Sequence, residues 1–221
     1  MRRRSPLRVA SVLAAFALLL AVAGRAPAQE PAPIRLPAPQ TDGGKPLMQA
    51  LKARATGRAF APDPLPPQTL SNLLWAAWGV NRPDSGKRTA PSARDWRETD
   101  VYVITAAGAY LYDAPANALA PVASGDLRAL TGTQDFVKDA PVTLVLVADT
   151  ARMKGAQPDM HQAYAWADAA FISQNVYLFC ASEGLATGVR ASVDRAAIAK
   201  ALKLGGTQLV VFAQSVGRPR D

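Results

Sequence analysis

The chain has 221 residues, 49% of them apolar, which fits one domain of ordinary size with enough hydrophobic material for a core. Its net charge of +8 resembles a nucleic-acid signal, but Arg2, Arg3, Arg4, Arg8 and Arg25 sit in the first 28 residues without an acid, leaving twenty basic residues against 17 acidic ones elsewhere. That balance, with no patch interleaving aromatic and basic side chains, argues against a nucleic-acid partner, and a single cysteine and a single histidine leave no disulfide and no His/Cys zinc set.

The N-terminus reads as an export signal over residues 1–28. "MRRRSPLR" is a charged start, Val9 to Ala23 is uncharged and apolar, and Ala26-Pro27-Ala28 has the small-x-small pattern of a cleavage site. The apolar run is short for a membrane span, so the chain is expected in the periplasm with no stable membrane insertion after cleavage. An uncleaved anchor is the alternative. "RRSPLR" loosely matches the twin-arginine pattern, with Pro6 where an aromatic is usual, so Sec and twin-arginine routes both stay open.

Residues 29–45 are rich in Pro, Ala, Gln and Gly and read as a tether. Pro46 then opens a helix through Leu47, Met48 and Leu51 that ends near Gly57. Just past it, Arg54, Thr56 and Arg58 stand at alternate positions. In an extended stretch those side chains share one side, and two guanidiniums with a hydroxyl make a phosphate clamp. A solvated basic edge is the competing reading.

After the stiff link "PDPLPP", Leu70, Leu73, Leu74 and Ala77 mark a helix stopped near Gly79. Residues 81–98 form a long polar loop, of the kind that often carries function. Within it, "GKRTAPSAR" repeats the anion-binding chemistry with Lys87, Arg88, Ser92 and Arg94. "DVYVIT" (100–105) and "AYLYD" (109–113) read as a hairpin, and "PVTLVLVAD" (141–149) as a strand buried on both faces. From Gln162 to Ser182 the only charge is Asp168, which describes a central buried helix. Ser192 is placed to cap a helix through Ile198, Leu202 and Leu204, and residues 207–217 form a last strand. The sum is an α+β domain over 46–221.

Three features look chemical and are read more plainly. "FCASEGLATGVRAS" (179–192) follows a helix, with glycines at the wrong spacing for a dinucleotide fingerprint; Gly184 ends the helix. Cys180, among apolar neighbours, is a core residue. His161 is a surface residue, and a lone histidine builds no Ser/His/Asp triad.

Seven segments, in order, resemble the nitroreductase-like flavoproteins, in particular the branch of dehydrogenases that form thiazoles and oxazoles in peptides. They are "ALKARATGRAF", "LSNLLWAAWGVNR", "GKRTAPSA", "VYVITAAGAYLYD", "GTQDFVKDAPVTLVLVAD", "FISQNVYLFCASEGLAT" and "ALKLGGTQLVVFAQSVGRP". The resemblance implies a mixed central sheet flanked by helices, a long buried central helix, and FMN held at the interface of a homodimer. It implies that Arg54, Thr56 and Arg58 hold the FMN phosphate, completed by Arg218 or Arg220. Pro91, Ser92 and Ala93 would line the cofactor from the partner subunit, and Gln134 would reach the flavin or its ribityl chain. The backbone of Gly188, Val189, Arg190, Ala191 and Ser192 would pass the flavin's reactive edge. Where relatives carry Asn and Gln after "PSA", this chain has Arg94-Asp95-Trp96.

The expected function is an exported FMN-dependent oxidoreductase that passes a hydride or electron pair through flavin N5, to or from a small organic substrate of the nitro, quinone or azoline-like class. No side-chain acid or base is assigned, since backbone amides would supply the electrostatics. NAD(P)H, which reduces cytoplasmic relatives, is not expected outside the inner membrane. The alternatives are a non-catalytic flavin- or anion-binding module on the same fold, and an anchored structural protein.

Overall fold

The computed structural model describes residues 32–220, so the export-signal reading of residues 1–28 lies outside the described residues. Its centre is β7 (Val142–Asp149), whose uninterrupted apolar run is accounted for by helices on both sides. Leu144, Leu146 and Ala148 enter one core, and Val145 and Val147 enter a second on the opposite face.

Seven strands make one sheet in the order β1-β6-β5-β4-β7-β9-β8. They are β1 (Ile34–Arg35), β4 (Thr99–Ile104), β5 (Gly108–Asp113), β6 (Ala118–Ser124), β7, β8 (Ala186–Arg190) and β9 (Gln208–Gly217). Every pairing in it is antiparallel. The α+β class therefore stands, while the expected mixed sheet is corrected to an antiparallel one. β4 and β5 are the expected hairpin. β6 was not expected, because Pro121 breaks its strand pattern; β1 covers only Leu119 and Ala118, so Pro121 lies where β6 is an edge and no donor is missed.

The first face is covered by α2 (Pro67–Trp78) and α3 (His161–Glu183), the second by α4 (Arg195–Ala201). α2 opens with Pro67 in its first turn and buries Leu73, Leu74, Ala77 and Trp78. The 23-residue α3 buries Ala165, Ala169, Ile172, Val176 and Cys180. It ends at Gly184, whose left-handed φ of 70° lets its N–H reach the Cys180 carbonyl. Cys180 is fully buried and its thiol is pushed up to about 12 by that burial, as befits a core residue. No helix among the described residues is long and apolar enough to cross a membrane.

Three further expectations are corrected. α4 is capped by Asp194, whose carboxylate accepts from the Ala197 N–H, and not by Ser192. The helix after Pro46 is short, α1 (Leu47–Ala53), with Leu47 62% and Met48 75% exposed. Residues 34–45 do not hang as a tether. β1 pairs with β6, Ser71 Oγ donates to the Pro37 carbonyl at 2.6 Å, and the Lys45 N–H donates to Ser182 Oγ at 2.8 Å.

Candidate functional site

β8 is the outer strand of the sheet, and the alternation of an antiparallel ladder decides what its free edge offers. Even-numbered residues face β9, so the main-chain groups of Thr187 and Val189 point outward. The Thr187 carbonyl accepts from the Gly57 N–H at 2.9 Å, which lays residues 56–58 along β8 as an added extended segment. The Val189 N–H donates to the Tyr177 hydroxyl of α3 at 3.1 Å. Gly188 permits the close approach: a Cβ there would stand 3.2 Å from the Gly57 carbonyl oxygen and 3.4 Å from Thr56 Cγ2.

The structure thus brings Arg54, Thr56 and Arg58 against Gly188 and Val189, two groups that lie more than a hundred residues apart in sequence. All three clamp side chains are exposed. The Arg54 guanidinium lies 5.4 Å over the Tyr177 ring, and the Tyr177 hydroxyl is 3.1 Å from Thr56 Oγ1. The Tyr177 oxygen already accepts from Val189. Either hydroxyl can donate in the Tyr177–Thr56 pair, and where Tyr177 donates, the Thr56 proton is free for a ligand. Tyr177 is the residue that sequence reasoning missed. Its signal was a tyrosine within the apolar run from Val176 to Ala181.

The C-terminal segment joins the clamp. The Ala61 N–H donates to the Arg218 carbonyl at 2.9 Å and the Arg220 N–H to the Ala59 carbonyl at 3.2 Å. Among the described residues neither Arg54, Arg58 nor Arg218 has an acidic partner, whereas Arg220 reaches Asp139 at 3.9 Å. Arg54 and Arg58, without counter-ions on either side of the Thr56 hydroxyl, form a donor set that fits a phosphate group, and the backbone of Arg218 pairs with the next residues of the same segment.

Arg190 takes a different place from that expected of an open loop residue. Its guanidinium is buried, donating to the Thr131 carbonyl at 2.7 Å, to Thr131 Oγ1 at 2.7 Å and to Ser215 Oγ at 2.9 Å. It also lies 5.7 Å over the Phe136 ring. Burial lowers it to about 10, so it stays charged at neutral pH. Its side chain pins the segment carrying Gln134 to β8, and Thr133 Oγ1 stands 3.4 Å from Ser192 Oγ beside it. Gln134 itself is exposed. Past the end of β8, the N–H groups of Ala191 and Ser192 have no protein acceptor among the described residues. Of the five amides expected along this stretch, these two are the open ones, because Val189 is bonded to Tyr177 and Gly188 and Arg190 face β9.

Pro91, Ser92 and Ala93 lie apart from this cluster. The Ala93 N–H donates to Asp168 on α3 at 2.8 Å, and Ser92 Oγ accepts from the Arg97 N–H at 3.0 Å. Behind them Glu98 is fully buried beside Asp168. Burial first, and then the Asp168 charge, push the Glu98 carboxyl up to about 7. Asp168 accepts from the Ala93 N–H, and the buried Glu98 Oε2 has no hydrogen-bond partner, so Glu98 is the carboxyl of the pair favoured to hold a proton. Trp96 is half-buried, donating to the Lys154 carbonyl at 3.1 Å and meeting the Tyr164 ring edge-on.

Comparison with known proteins agrees with this fold. Residues 51–218 match the family described as the nitroreductase family. A protein of Methanocaldococcus jannaschii named as a nitroreductase is 28% identical over 151 residues, 64% of this chain and 76% of its own length. A crystal structure of a Ralstonia eutropha JMP134 protein, also named as a nitroreductase, superimposes with a TM-score of 0.82 at 41% identity, covering 86% of this chain and 90% of that one. A chain of the E. coli microcin synthetase McbBCD complex, solved with truncated pro-MccB17 bound, shares the fold at a TM-score of 0.68 and 19% identity, covering 100% of this chain and 85% of that one.

Proposed function

The chain belongs to the nitroreductase family, and on that premise we propose that it is an exported FMN-dependent oxidoreductase acting as a homodimer on a small organic substrate. The observation that carries the reading is the meeting, on one free sheet edge, of an uncompensated phosphate donor set with two open backbone amides.

When bound, FMN supplies transfer of a hydride or electron pair through N5. The chain's own residues do the rest. Arg54 and Arg58 would hold the phosphate with planar forks, Thr56 with its hydroxyl, and Arg218 from the C-terminal segment. Tyr177 fixes Thr56 and keeps Arg54 over its ring. The N–H groups of Ala191 and Ser192 would donate to the polar edge of the ring system, fixed dipoles that need no rearrangement during reaction. Arg190 keeps that loop and the Gln134 segment rigid. Pro91, Ser92 and Ala93, too far from the clamp to share its contacts within one chain, would serve the partner's site.

Exposed apolar side chains support the dimer. α1 leaves Leu47, Met48 and Leu51 bare, and α3, which packs on it, leaves Phe171 49% exposed. Bare apolar groups on adjoining helices favour a protein partner. Nitro, quinone and azoline-like compounds remain the substrate class.

Purification of residues 29–221 tests the proposal. A yellow protein that releases FMN on denaturation, and that is reoxidised by a nitroaromatic or quinone after chemical reduction, is expected. A colourless protein that takes up no FMN overturns the reading. A flavin-loaded protein that passes no electrons to any acceptor identifies a binding module instead. Arg54→Ala with Arg58→Ala should lose FMN.

A further inference from the structure

The hairpin of β2 (Val80–Arg82) and β3 (Lys87–Arg88) builds a feature that the flavin reading does not use. Arg82, Lys87, Arg88 and Arg97 converge with Ser92 and Asp95 around a cleft of about 180 Å³. The convergence is built, not incidental. Arg82 Nη2 donates across the hairpin to the Arg88 carbonyl at 2.7 Å, and Arg97 Nη1 donates to the Gly86 carbonyl at 3.1 Å. Arg94, Asp95 and Arg97 all adopt left-handed backbone, with φ of 49°, 56° and 50°. Such conformations cost free energy in residues with side chains, and here they turn Arg97 inward while Arg94 leaves for the Gly155 carbonyl.

The charges do not balance. Among the described residues Asp95 is the only acid lining the cleft and is spent on Arg97, in two bonds of 3.0 and 2.7 Å, while Asp113 and Asp100 act on Arg88 from outside the lining. Among the described residues Arg82, Lys87 and Arg88 have no ion pair. Arg88 is half-buried over the Trp78 ring at 5.5 Å, with a buried Nε that has no acceptor. Burial, and then the neighbouring Arg97, hold its guanidinium below the ordinary value, the mark of a cation kept where its charge is unwelcome. Such an arrangement is relieved by an anion. The volume is below that of pockets for drug-sized ligands, which suits a small acid.

We propose that this cleft is a second anion site, separate from the Arg54–Arg58 clamp, and that it takes the carboxylate of a small organic acid. On the oxidoreductase reading, on which this last assignment rests, that acid is the substrate, because the cleft shares Pro91 and Ser92 with the segment expected to line the cofactor. Lys87 and Arg88 supply the charge, Arg82 the outer wall, and Ser92 a neutral polar contact.

The test is a calorimetric titration of the 29–221 protein, in a buffer free of phosphate and carboxylates, with 4-nitrobenzoate and with 4-nitrobenzamide. The two probes share ring and nitro group and differ in the carboxylate. The acid should bind at least roughly tenfold tighter, the factor one charge-assisted contact carries. Lys87→Gln and Arg88→Gln should each erase most of that preference, while Arg54→Ala with Arg58→Ala should keep it. Equal affinity for the two probes overturns the site, and Lys87→Gln, at an exposed position, repeats the comparison without a folding risk. A preference that survives at Lys87 and Arg88 but vanishes with the clamp variants overturns it too. Failure of the flavin reading shows separately, as a protein without bound FMN, and leaves this titration decisive.

Discussion

Tyr177→Phe isolates one oxygen atom. The ring stays under the Arg54 guanidinium and the buried volume barely changes, so the loss is confined to two hydrogen bonds, to the Val189 N–H at 3.1 Å and to Thr56 Oγ1 at 3.1 Å. A neutral bond contributes about 1 kcal/mol net, and a donor left unpaired away from water costs about 1–3 kcal/mol. The variant should therefore lose about 2–3 kcal/mol of stability, roughly 4–12 °C in Tm for a domain of this size. Ligand affinity is the sharper readout. If Tyr177 orients the Thr56 hydroxyl toward phosphate, FMN should bind about five- to tenfold more weakly, the equivalent of about 1 kcal/mol or slightly more. Riboflavin, identical but without the phosphate, should be nearly unaffected. Fluorescence titration of the protein stripped of flavin measures both. Thr56→Ala should produce the same selective loss, and the double variant little more, since the two groups act as one unit. A parallel loss for FMN and riboflavin would show that Tyr177 only supports the fold, and an unchanged FMN affinity would refute the proton assignment at Thr56.

Gly188→Ala adds a Cβ 3.2 Å from the Gly57 carbonyl oxygen, which must move by a few tenths of an ångström. The clamp segment should lift from β8, weakening FMN severalfold at a stability cost of about 1 kcal/mol, within the range for overpacking; an FMN affinity equal to that of the parent protein counts against the packing of residues 56–58 on β8. Glu98 gives a pH signature. Its carboxyl rises from 4.5 unfolded to about 7 folded, so the stability from its buried proton is complete below pH 4.5 and is lost as pH rises through about 7. Glu98→Gln mimics the neutral form, so its Tm should exceed that of the parent at pH 8 and converge on it near pH 5. Parallel melting curves across that range would place the proton elsewhere.

How much of this was legible depends on whether the signal is local. β7 announces itself because it is apolar on both faces, the pattern of a central strand, while α3 carries the same apolar signal but buries one face and leaves Trp166 and Phe171 exposed, a correction to its reading as a helix buried all round. The extended stretch through 54, 56 and 58 was legible in its alternation, and the Gly57–Thr187 bond holds it along β8. β8 was not legible. "ATGVR" has two small residues, two β-branched ones and an arginine, too short and mixed to mark a strand, and its pairing with β9 is a non-local cause that no window of sequence contains. The inward turn of Arg190 follows from the same pairing, since register with Ala213 sets its face. The β2–β3 hairpin hid inside a polar loop because its order comes from arginine-to-carbonyl bonds and not from apolar alternation.

That dependence on β8 also accounts for where the proposed ligand would be held. An edge strand presents unpaired main-chain groups, which invite unwanted pairing unless something covers them. Here the cover is graded along the strand. Thr187 is taken by Gly57, Val189 by Tyr177, and beyond Arg190 the chain leaves the sheet with Ala191 and Ser192 unclaimed. The residues that cover the first part of the edge are those that bring Arg54, Thr56 and Arg58 beside it. Covering the edge and assembling the donor set are thus one structural act, and the open amides mark the point where the protein stops satisfying its own backbone. On the proposed reading, a flat ligand with an anionic tail at one end and acceptors at the other would complete both halves, and a loop almost without reactive side chains would serve redox chemistry through its amides.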